Sequence, residues 1–376
     1  METGVISMTY TQKLFSIKDI YDTDPSEPIF VHAMRENAVF HYHNCPEYKN
    51  ILDHFGFDPG SISCFDDLIR LPFIPTLYFK HHLLQSISPK KQLIKATSSG
   101  TSGRMSNIGF DFKSLNLGKK MVIKVGRYHK LWSKKPTNYI IFGYQPTKEN
   151  KTAVSKTAFG FTFFAPALSR TFALEKNESG YTLAWDKVLK AMEKCSASKA
   201  PMRTIGFPAY TYFLLRDMKE KGLRFQMPKG SMVTLGGGWK QFYAEKVDKR
   251  EFYSLVREVL GIDESNIIEF FGAVEHPILY TDCKCHHFHV PVYSRVIIRD
   301  PNDFSPLPNG KAGLINLLSP MMQSAPLLSV MTDDLGILHD EGCPCGAKSP
   351  WLEIIGRVGI SDIITCAAGA EEFLKE

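Results

Sequence analysis

A ten-residue stretch rich in glycine and hydroxyl side chains, Thr97–Ser106, most limits how this chain can fold. Apolar residues stand on both sides of it, Leu93-Ile94 before and Ile108-Gly109-Phe110 after, so we expect a loop between two strands. Glycine permits left-handed backbone angles and close approach of a ligand. Successive N–H groups and rotating hydroxyls in such a turn form a concave site for an anion.

The same stretch has a plainer interpretation as a solvated Ser/Gly surface loop. It is not a Walker loop, because no Gly-Lys-Ser/Thr follows at the required spacing. Arg104 adds a fixed positive charge, and the flanking strand patterns favour a nucleotide-phosphate cradle over a linker.

Strand and helix patterns alternate along the chain to about residue 280. Tyr139–Tyr144 and Ser231–Leu235 have the pattern of buried strands, and Ala209–Lys221 is a helix opened by Pro208. From residue 288 the pattern changes to short strands and turns. We therefore predict an α/β fold in three parts: an alternating region at residues 1–280, a β-rich subdomain at 281–358 that contains the Cys-x-Cys pairs described below, and a C-terminal arm at 359–376.

Composition narrows the class of protein. The chain has 376 residues, of which 44% are hydrophobic and 22% charged, as in a globular protein with an ample core. A net charge of +6 suits small anionic ligands but is too diffuse to indicate nucleic acid. Because no signal peptide, lipidation motif or apolar run of about 18 residues is visible, we expect a cytoplasmic protein without a membrane span.

Two Cys-x-Cys pairs predict a metal site. Cys283 and Cys285 form one pair and Cys343 and Cys345 the other, and four thiolates in a reducing compartment suit tetrahedral Zn²⁺. One of the neighbouring histidines could replace a thiolate; the candidates are His286, His287 and His289. With four protein ligands the site would be closed and structural. The alternative is a set of free cysteines beside a surface histidine cluster.

Several ligand-type residues follow strand patterns, where α/β folds collect their ligands. They are Gly236, Gly237 and Gly238, suited to the approach of a flat base, then Glu275, Asp333-Asp334 and Arg357. A carboxylate at such a position can bind Mg²⁺ or ribose hydroxyls. Each of these residues alone is more often an ordinary surface group.

Taken in order, these motifs resemble those of the adenylate-forming (acyl-AMP) superfamily. The chain resembles more closely its acyl-protein synthetase (LuxE-type) family. The matching stretches are Phe73-Ile74-Pro75-Thr76 with Phe79-Lys80, Ser98-Ser99-Gly100-Thr101, Gly236-Gly237-Gly238-Trp239-Lys240, Thr332-Asp333-Asp334-Leu335-Gly336, and Cys366 near the C-terminus.

The resemblance implies a two-step ligase that uses ATP, Mg²⁺ and a carboxylic acid of the fatty class, and that passes the acyl group to Cys366 and then to a partner reductase or transferase. It also implies that residues 1–280 bind the nucleotide and the acyl group, and that the arm at 359–376 carries the acceptor cysteine. It implies that Ser98, Ser99, Gly100, Thr101, Ser102 and Gly103 hold phosphates, Gly236 to Gly238 the adenine, Glu275 the Mg²⁺, Asp334 the ribose, and Arg357 the ribose or a phosphate. The Cys-x-Cys pairs look more like those of zinc-bearing relatives of phenylacetate–CoA ligases.

Chain length adds one expectation. Full ligases of the superfamily continue past a Gly-Arg hinge, which corresponds to Gly356-Arg357 here. Beyond the hinge they have a small domain of about a hundred residues that carries a lysine. Only 19 residues follow Arg357 here, so we expect that domain to be absent and Arg104 or Lys240 to stabilise charge at the α-phosphate.

Two other functions stay open at the level of sequence: an acyl- or aryl-CoA ligase, and a non-catalytic zinc-stabilised binding protein. The aromatic residues Phe159–Phe164, Phe207, Tyr210 and Tyr212 line an acyl pocket or, more often for such residues, form plain core.

Overall fold

The computed structural model describes residues 8–97, 105–145, 153–177, 180–239 and 246–357. These residues form two compact units. The terminal unit contains the described residues up to Lys124, the short segment Gly272–Tyr280, and the chain from His287 onward. The central unit contains Val125–Phe271 and Thr281–His286. The predicted boundaries at residues 280 and 358 stay a prediction.

Several helices begin where the sequence supplies a cap or a proline. Thr9 and Gln12 form a capping box at the first helix, and the Asp248 carboxylate accepts the Arg250 N–H at the last. Pro208 occupies the first turn of α9, as predicted. The α-helices of the described residues are α1 (Tyr10–Leu14), α2 (Glu27–Asn44), α3 (Pro46–His54), α4 (Phe65–Ile69), α5 (Tyr78–His81), α6 (Phe112–Tyr128), α7 (Ala153–Phe161), α8 (Trp185–Ser196), α9 (Pro208–Glu220) and α10 (Lys249–Leu260).

The strands form two large sheets and one two-stranded ribbon. In chain order they are β1 (Ile74–Pro75), β2 (Gln92–Thr97), β3 (Asn107–Asp111), β4 (Thr137–Tyr144), β5 (Ala167–Asn177), β6 (Gly180–Leu183), β7 (Met202–Gly206), β8 (Met232–Gly236), β9 (Ile267–Ala273), β10 (His276–Thr281), β11 (Phe288–His289), β12 (Arg295–Arg299), β13 (Pro306–Leu307), β14 (Ala312–Leu318), β15 (Ser329–His339) and β16 (Trp351–Arg357).

The terminal unit is built on an antiparallel sheet of order β11-β16-β15-β14-β12-β13, with β1 added parallel to β15. Buried Arg295 on β12 donates to the Thr23 carbonyl and the Ser26 hydroxyl, which ties the segment before α2 to this sheet. The ribbon β2–β3 is antiparallel, with Thr97 opposite Asn107. The predicted strands on both sides of the Ser/Gly stretch are therefore confirmed, while residues 98–104 lie outside the described residues.

The second large sheet has the order β10-β9-β8-β7-β4-β5-β6. Strands β9, β8, β7, β4 and β5 are parallel, and β6 returns antiparallel to β5. In the central unit, residues of α8, α9 and α10 form one buried apolar cluster, and a second contains Leu131, Phe161 and Phe164. Parallel strands with near-continuous apolar sequences are expected when both faces of a sheet are covered. The predicted α/β class is confirmed.

Some element boundaries differ from the sequence patterns for local reasons. The sequence from Leu183 to Lys194 has the spacing of an amphipathic helix, but the helix begins only at Trp185, because Gly180–Leu183 pairs with β5. The sequence from Ser329 to Thr332 has the pattern of a short strand, but the strand continues to His339, because β14 and β16 both pair with it. Within the described residues, no helix is both long and apolar enough to cross a bilayer.

Candidate active site and metal centre

Glu275 lies in the turn between β9 and β10, and only 4% of its surface is exposed. Burial raises the pKa of Glu275, and the nearby charge of Asp333 adds to the rise. The nearby Ser106 hydroxyl and the positive charge of Lys80 oppose this rise in the pKa. A buried carboxylate lacks the water that would stabilise its negative charge. A bound cation can stabilise that charge in place of the water. Glu275 is thus suited to hold a cation.

Asp333, on β15, is held by two donors within the terminal unit. The Thr76 hydroxyl donates to one carboxylate oxygen at 2.9 Å, and the Arg357 guanidinium donates to the other at 3.0 Å. Thr76 reaches this position because β1 pairs with β15 and the Thr76 N–H donates to the Met331 carbonyl at 2.9 Å. Arg357 reaches it because β16 also pairs with β15. Asp333 and Arg357 are therefore fixed in orientation.

Asp334, the predicted ribose ligand, follows Asp333 on the same strand. In the antiparallel pairing of β15 with β16, Asp334 stands directly opposite Arg357. The Asp334 N–H donates to the Thr332 hydroxyl at 3.2 Å. The role of Asp334 stays a prediction.

The terminal unit thus contains three of the predicted ligand residues, Glu275, Asp334 and Arg357. Glu275 and Arg357 lie in a group that we call the carboxylate cluster, whose members are Thr76, Lys80, Ser106, Glu275, Asp333 and Arg357. Thr76 and Lys80 stood in a motif that matched the family, which was the only available signal for them.

Gly236, Gly237 and Gly238 end β8 at the carboxyl edge of the parallel strands. Gly237 and Gly238 have φ of 84° and 67°, a region that glycine enters without strain. Trp239 is buried in the central unit, its ring 5.7 Å from that of Tyr212 and 6.3 Å from that of Phe252. Trp239 therefore anchors the end of this turn in the core, and the adenine-binding role of the glycines stays a prediction.

The aromatic stretch Phe159–Phe164 mostly forms core. Phe161 and Phe164 belong to a buried cluster, whereas Phe163 is 62% exposed. A cavity of about 350 Å³ beside Phe163 is also lined by Trp132 and Arg170 and lies near the first residues of β4 and β5. Ligands of α/β sheets collect at the opposite, carboxyl edge of the strands. The position of this cavity therefore does not support its use as an acyl pocket.

The two Cys-x-Cys segments each form a tight turn. In one, the His286 N–H donates to the Cys283 carbonyl at 2.8 Å, and the Cys285 N–H donates to the Cys283 sulfur at 3.3 Å. In the other, the Gly346 N–H donates to the Cys343 carbonyl at 3.0 Å, and Gly346 has φ of 91°. The Ala347 N–H donates to the Cys345 sulfur at 3.3 Å. N–H donors of this kind stabilise a thiolate.

His289 lies with Cys343 and Cys345 in the terminal unit. Its Nε2 atom is 3.2 Å from the Cys345 sulfur, and its Nδ1 atom is 3.1 Å from the Ser349 carbonyl oxygen. A hydrogen bond from Nδ1 to that carbonyl leaves the Nε2 lone pair available for a metal. The ligand atoms of these three residues all lie within 4.8 Å of one another. Zn²⁺ bonds of about 2.0–2.3 Å place neighbouring tetrahedral ligands about 3.3–3.8 Å apart, so ligand atoms this close could reach one ion with small side-chain movements.

The other two histidines of the cluster have different partners. The His286 ring is placed between carboxylates, 2.7 Å from Asp282 and 3.2 Å from Glu264. The His287 ring stacks on Trp351 with centroids 3.7 Å apart, and its Nδ1 atom lies 3.3 Å from the Cys343 sulfur. His287 can therefore donate to a thiolate, and His286 is engaged by acids.

The remaining predicted site residues lie outside the described residues. They are Ser98, Ser99, Gly100, Thr101, Ser102, Gly103, Arg104, Lys240 and Cys366. Their predicted roles stay predictions.

Comparison with solved structures identifies the fold. Two structures of 2-hydroxyisobutyryl-CoA ligase, one of them an open conformation in complex with 2-HIB-AMP and CoA, superpose with TM-scores of 0.67 and 0.68 at 13% identity. The matches cover 90% and 91% of this chain and 76% and 70% of the ligase chains. The chain therefore has the fold of the adenylate-forming ligases.

The family follows from sequence. The acyl-protein synthetase family, LuxE, matches residues 10–374, so the chain belongs to that family. It is 26% identical over 355 residues to a long-chain-fatty-acid–luciferin-component ligase of Aliivibrio fischeri, covering 91% of this chain and 88% of the relative. A phenylacetate-coenzyme A ligase of Thermus thermophilus is 22% identical over 333 residues, covering 86% and 68%. The predicted class, an acyl-activating ligase of this family, is confirmed, and a non-catalytic binding protein is not favoured.

Proposed function

We propose that this protein uses ATP and Mg²⁺ to convert a long-chain fatty acid to an acyl-adenylate and then transfers the acyl group to its own Cys366. The observation that carries the proposal is the buried Glu275 carboxylate, set beside Asp333, Lys80 and Ser106 in a chain of the LuxE family. The fatty acid is inferred from the named substrate of the relatives in Aliivibrio fischeri and Vibrio harveyi.

The donor set suits Mg²⁺. Glu275 is a desolvated carboxylate, and the charge of a second carboxylate, Asp333, acts on it. Mg²⁺ takes oxygen ligands, usually one or two carboxylates together with phosphate oxygens. When bound, Mg²⁺ neutralises charge on the phosphates during displacement. Lys80 and Arg357 contribute further positive charge within the carboxylate cluster.

In the first step an oxygen of the substrate carboxylate attacks the α-phosphorus of ATP. The bond from that phosphorus to the bridging oxygen breaks, and pyrophosphate leaves with the electron pair. The chain contributes mainly position and electrostatic stabilisation. By the order of motifs, Asp334 accepts hydrogen bonds from the ribose and the Gly236–Gly238 turn takes the adenine. Thr76 and Arg357 hold Asp333, which keeps the neighbouring β15 residues in place.

In the second step the Cys366 thiolate attacks the acyl carbonyl of the mixed anhydride. A thioester forms, and AMP leaves with the electrons of the anhydride bond. Division of one difficult acylation into two easier steps is the general advantage of a covalent intermediate. The thioester can then pass its acyl group to a partner reductase or transferase.

Intact-mass measurement tests the proposed function. After incubation with ATP, Mg²⁺ and palmitate without CoA, we expect the protein mass to rise by one acyl group. Acid-dependent ATP–pyrophosphate exchange should accompany it. Exchange without acylation, followed by release of acyl-CoA when CoA is added, would instead identify a CoA ligase.

Asp334→Asn tests the ribose role. A hydrogen bond to a charged group contributes about 1.5–3 kcal/mol, so the wild type should prefer ATP over 3′-deoxy-ATP by about tenfold to a hundredfold in kcat/KM. The variant should lose most of that preference, measured by pyrophosphate exchange with both nucleotides. Asp340→Asn, an exposed acid at the end of the same sheet region, is the control. Retained discrimination in Asp334→Asn would contradict the assignment.

We further propose that His289, Cys343 and Cys345 of the terminal unit bind a structural zinc ion. This set differs from the four-thiolate set expected from sequence, because a histidine nitrogen takes the place of one thiolate. A zinc ion with four protein ligands would have no open position, so it would stabilise the fold and take no part in the chemistry.

Cys343→Ser is expected to reduce zinc from about one ion per chain to a small fraction and to lower the thermal midpoint, since structural zinc contributes folding free energy. Metal analysis by mass spectrometry and thermal unfolding measure both. Cys285→Ser should retain zinc, and His289→Ala should lose it. Zinc loss in Cys285→Ser with retention in His289→Ala would restore the four-thiolate set.

A further inference from the structure

A second cavity lies in the terminal unit, between α5 and the β2–β3 ribbon. It measures about 330 Å³. Its polar lining residues include Lys80, His81, His82, Gln92, Lys95 and Asn107. The ribbon that forms one wall also carries the Ser/Gly stretch, because that stretch connects Thr97 of β2 to the start of β3.

The chemistry of this cavity favours a compact polyanion. Two lysines and two histidines line it, and none of its described lining residues is acidic. Side-chain amides of Gln85, Gln92 and Asn107 add neutral donors. The remaining lining residues are apolar or glycine, which limits competing interactions.

The wall of the cavity is closely fitted at Gly109. A Cβ atom at this position would lie 2.1 Å from the Gln92 side-chain oxygen, so the Gln92 side chain lies directly over the glycine backbone. The Gly109 carbonyl also accepts a hydrogen bond from buried Ser324. The ribbon and the Gln92 amide are thus held in a defined arrangement at the cavity.

Lys80 connects the cavity with the carboxylate cluster. Its side chain lines the cavity, and its positive charge also acts on Glu275. It follows Thr76 by four residues on a segment fixed to β15 by the β1 pairing and by the Thr76–Asp333 hydrogen bond. A phosphate chain that meets a cation at Glu275 can therefore continue toward Lys80.

We propose that this cavity binds the β- and γ-phosphates of ATP and that Lys80 is the catalytic cation that stabilises pyrophosphate as it leaves. The proposal deepens the proposed function and depends on it for the identity of the ligand. The Lys80 ammonium donates hydrogen bonds to the leaving oxygens and forms no covalent bond. In this role it supplies the charge that sequence reasoning assigned to Arg104 or Lys240.

Binding of inorganic pyrophosphate to the whole protein is the first test, by isothermal titration calorimetry with Mg²⁺ present. A lost charged hydrogen bond should weaken binding about tenfold to a hundredfold in Lys80→Ala, with partial recovery in Lys80→Arg. Lys95→Ala, at an exposed residue of the cavity wall, should weaken binding in the same direction with little effect on folding. Lys90→Ala, exposed and outside the lining, is the matched control and should bind as the wild type does.

Two results would overturn the proposal: equal pyrophosphate affinity in wild type, Lys80→Ala and Lys95→Ala, or equal affinity of the wild type for sulfate and pyrophosphate. Kinetics supply the second test. In pyrophosphate exchange, Lys80→Ala should raise the KM for pyrophosphate more than the KM for the fatty acid. If wild-type protein binds pyrophosphate through Lys80 but activates no acid, the proposed function fails while the polyanion cavity stands.

Discussion

Glu275→Gln is expected to lower the rate of acyl-adenylate formation by about two to three orders of magnitude, the typical loss when a preorganised electrostatic group is removed. The glutamine keeps the shape of this buried side chain, so the fold should survive. It cannot supply the negative charge that attracts Mg²⁺. The measurement is acid-dependent ATP–pyrophosphate exchange at several Mg²⁺ concentrations, with the circular dichroism spectrum as a check on folding.

The pH dependence adds an independent test of Glu275. Because burial raises the pKa of this carboxyl, a proton competes with Mg²⁺ at higher pH than at an ordinary glutamate. The Mg²⁺ concentration needed by the wild type should therefore increase as pH falls toward that raised pKa. The Gln variant should lack this increase, and Glu341→Gln, at an exposed residue, should keep it. A Gln variant with wild-type exchange and an unchanged Mg²⁺ requirement would remove Glu275 from the site.

Local sequence was sufficient for elements whose signals are short-range. Pro208 starts α9, and the apolar pairs around the Ser/Gly stretch are indeed β2 and β3. Strand β5 was missed because Ala167–Asn177 mixes polar and apolar residues without a clear period of two. Its pairing with β4 and β6 selects the extended conformation, and that pairing is tertiary.

The candidate site shows the same limit. The order of motifs along the chain was enough to select Glu275 and Arg357, since each lies beside a strand end. It gave no role to Thr76 and did not predict its contact with Asp333, because the two residues lie 257 positions apart and meet only through the pairing of β1 with β15. Lys80 and Ser106 likewise acquire a role only through the folded environment of Glu275.

The metal centre illustrates why spacing alone leaves ligands open. Cys285 and His289 both follow Cys283 closely, and either residue type binds Zn²⁺. The difference lies in their neighbours. The Ser349 carbonyl fixes the His289 ring from 60 residues away, whereas the Cys285 N–H is directed at the Cys283 sulfur. No periodicity in the sequence contains that information.

Cys366→Ala is expected to abolish covalent acylation of the protein while leaving acyl-adenylate formation intact. The thiolate is required only after pyrophosphate has left, so its removal should separate the two steps of the proposed reaction. The measurements are labelling with radioactive palmitate in the presence of ATP and, in parallel, ATP–pyrophosphate exchange. Label on the wild type should be released by neutral hydroxylamine, as a thioester is.

The choice of controls decides what that experiment means. Cys64→Ala removes an exposed cysteine outside the predicted C-terminal arm and should retain full labelling. Cys366→Ser should acquire little or no label, and any label it does acquire should resist neutral hydroxylamine, because an oxygen ester is less reactive than a thioester. Hydroxylamine-sensitive label on Cys366→Ala would place the acyl acceptor at another cysteine. If both exchange and labelling disappear in Cys366→Ala, Cys366 is already needed for adenylation. The proposal that adenylation and acyl transfer use separate groups would then be wrong.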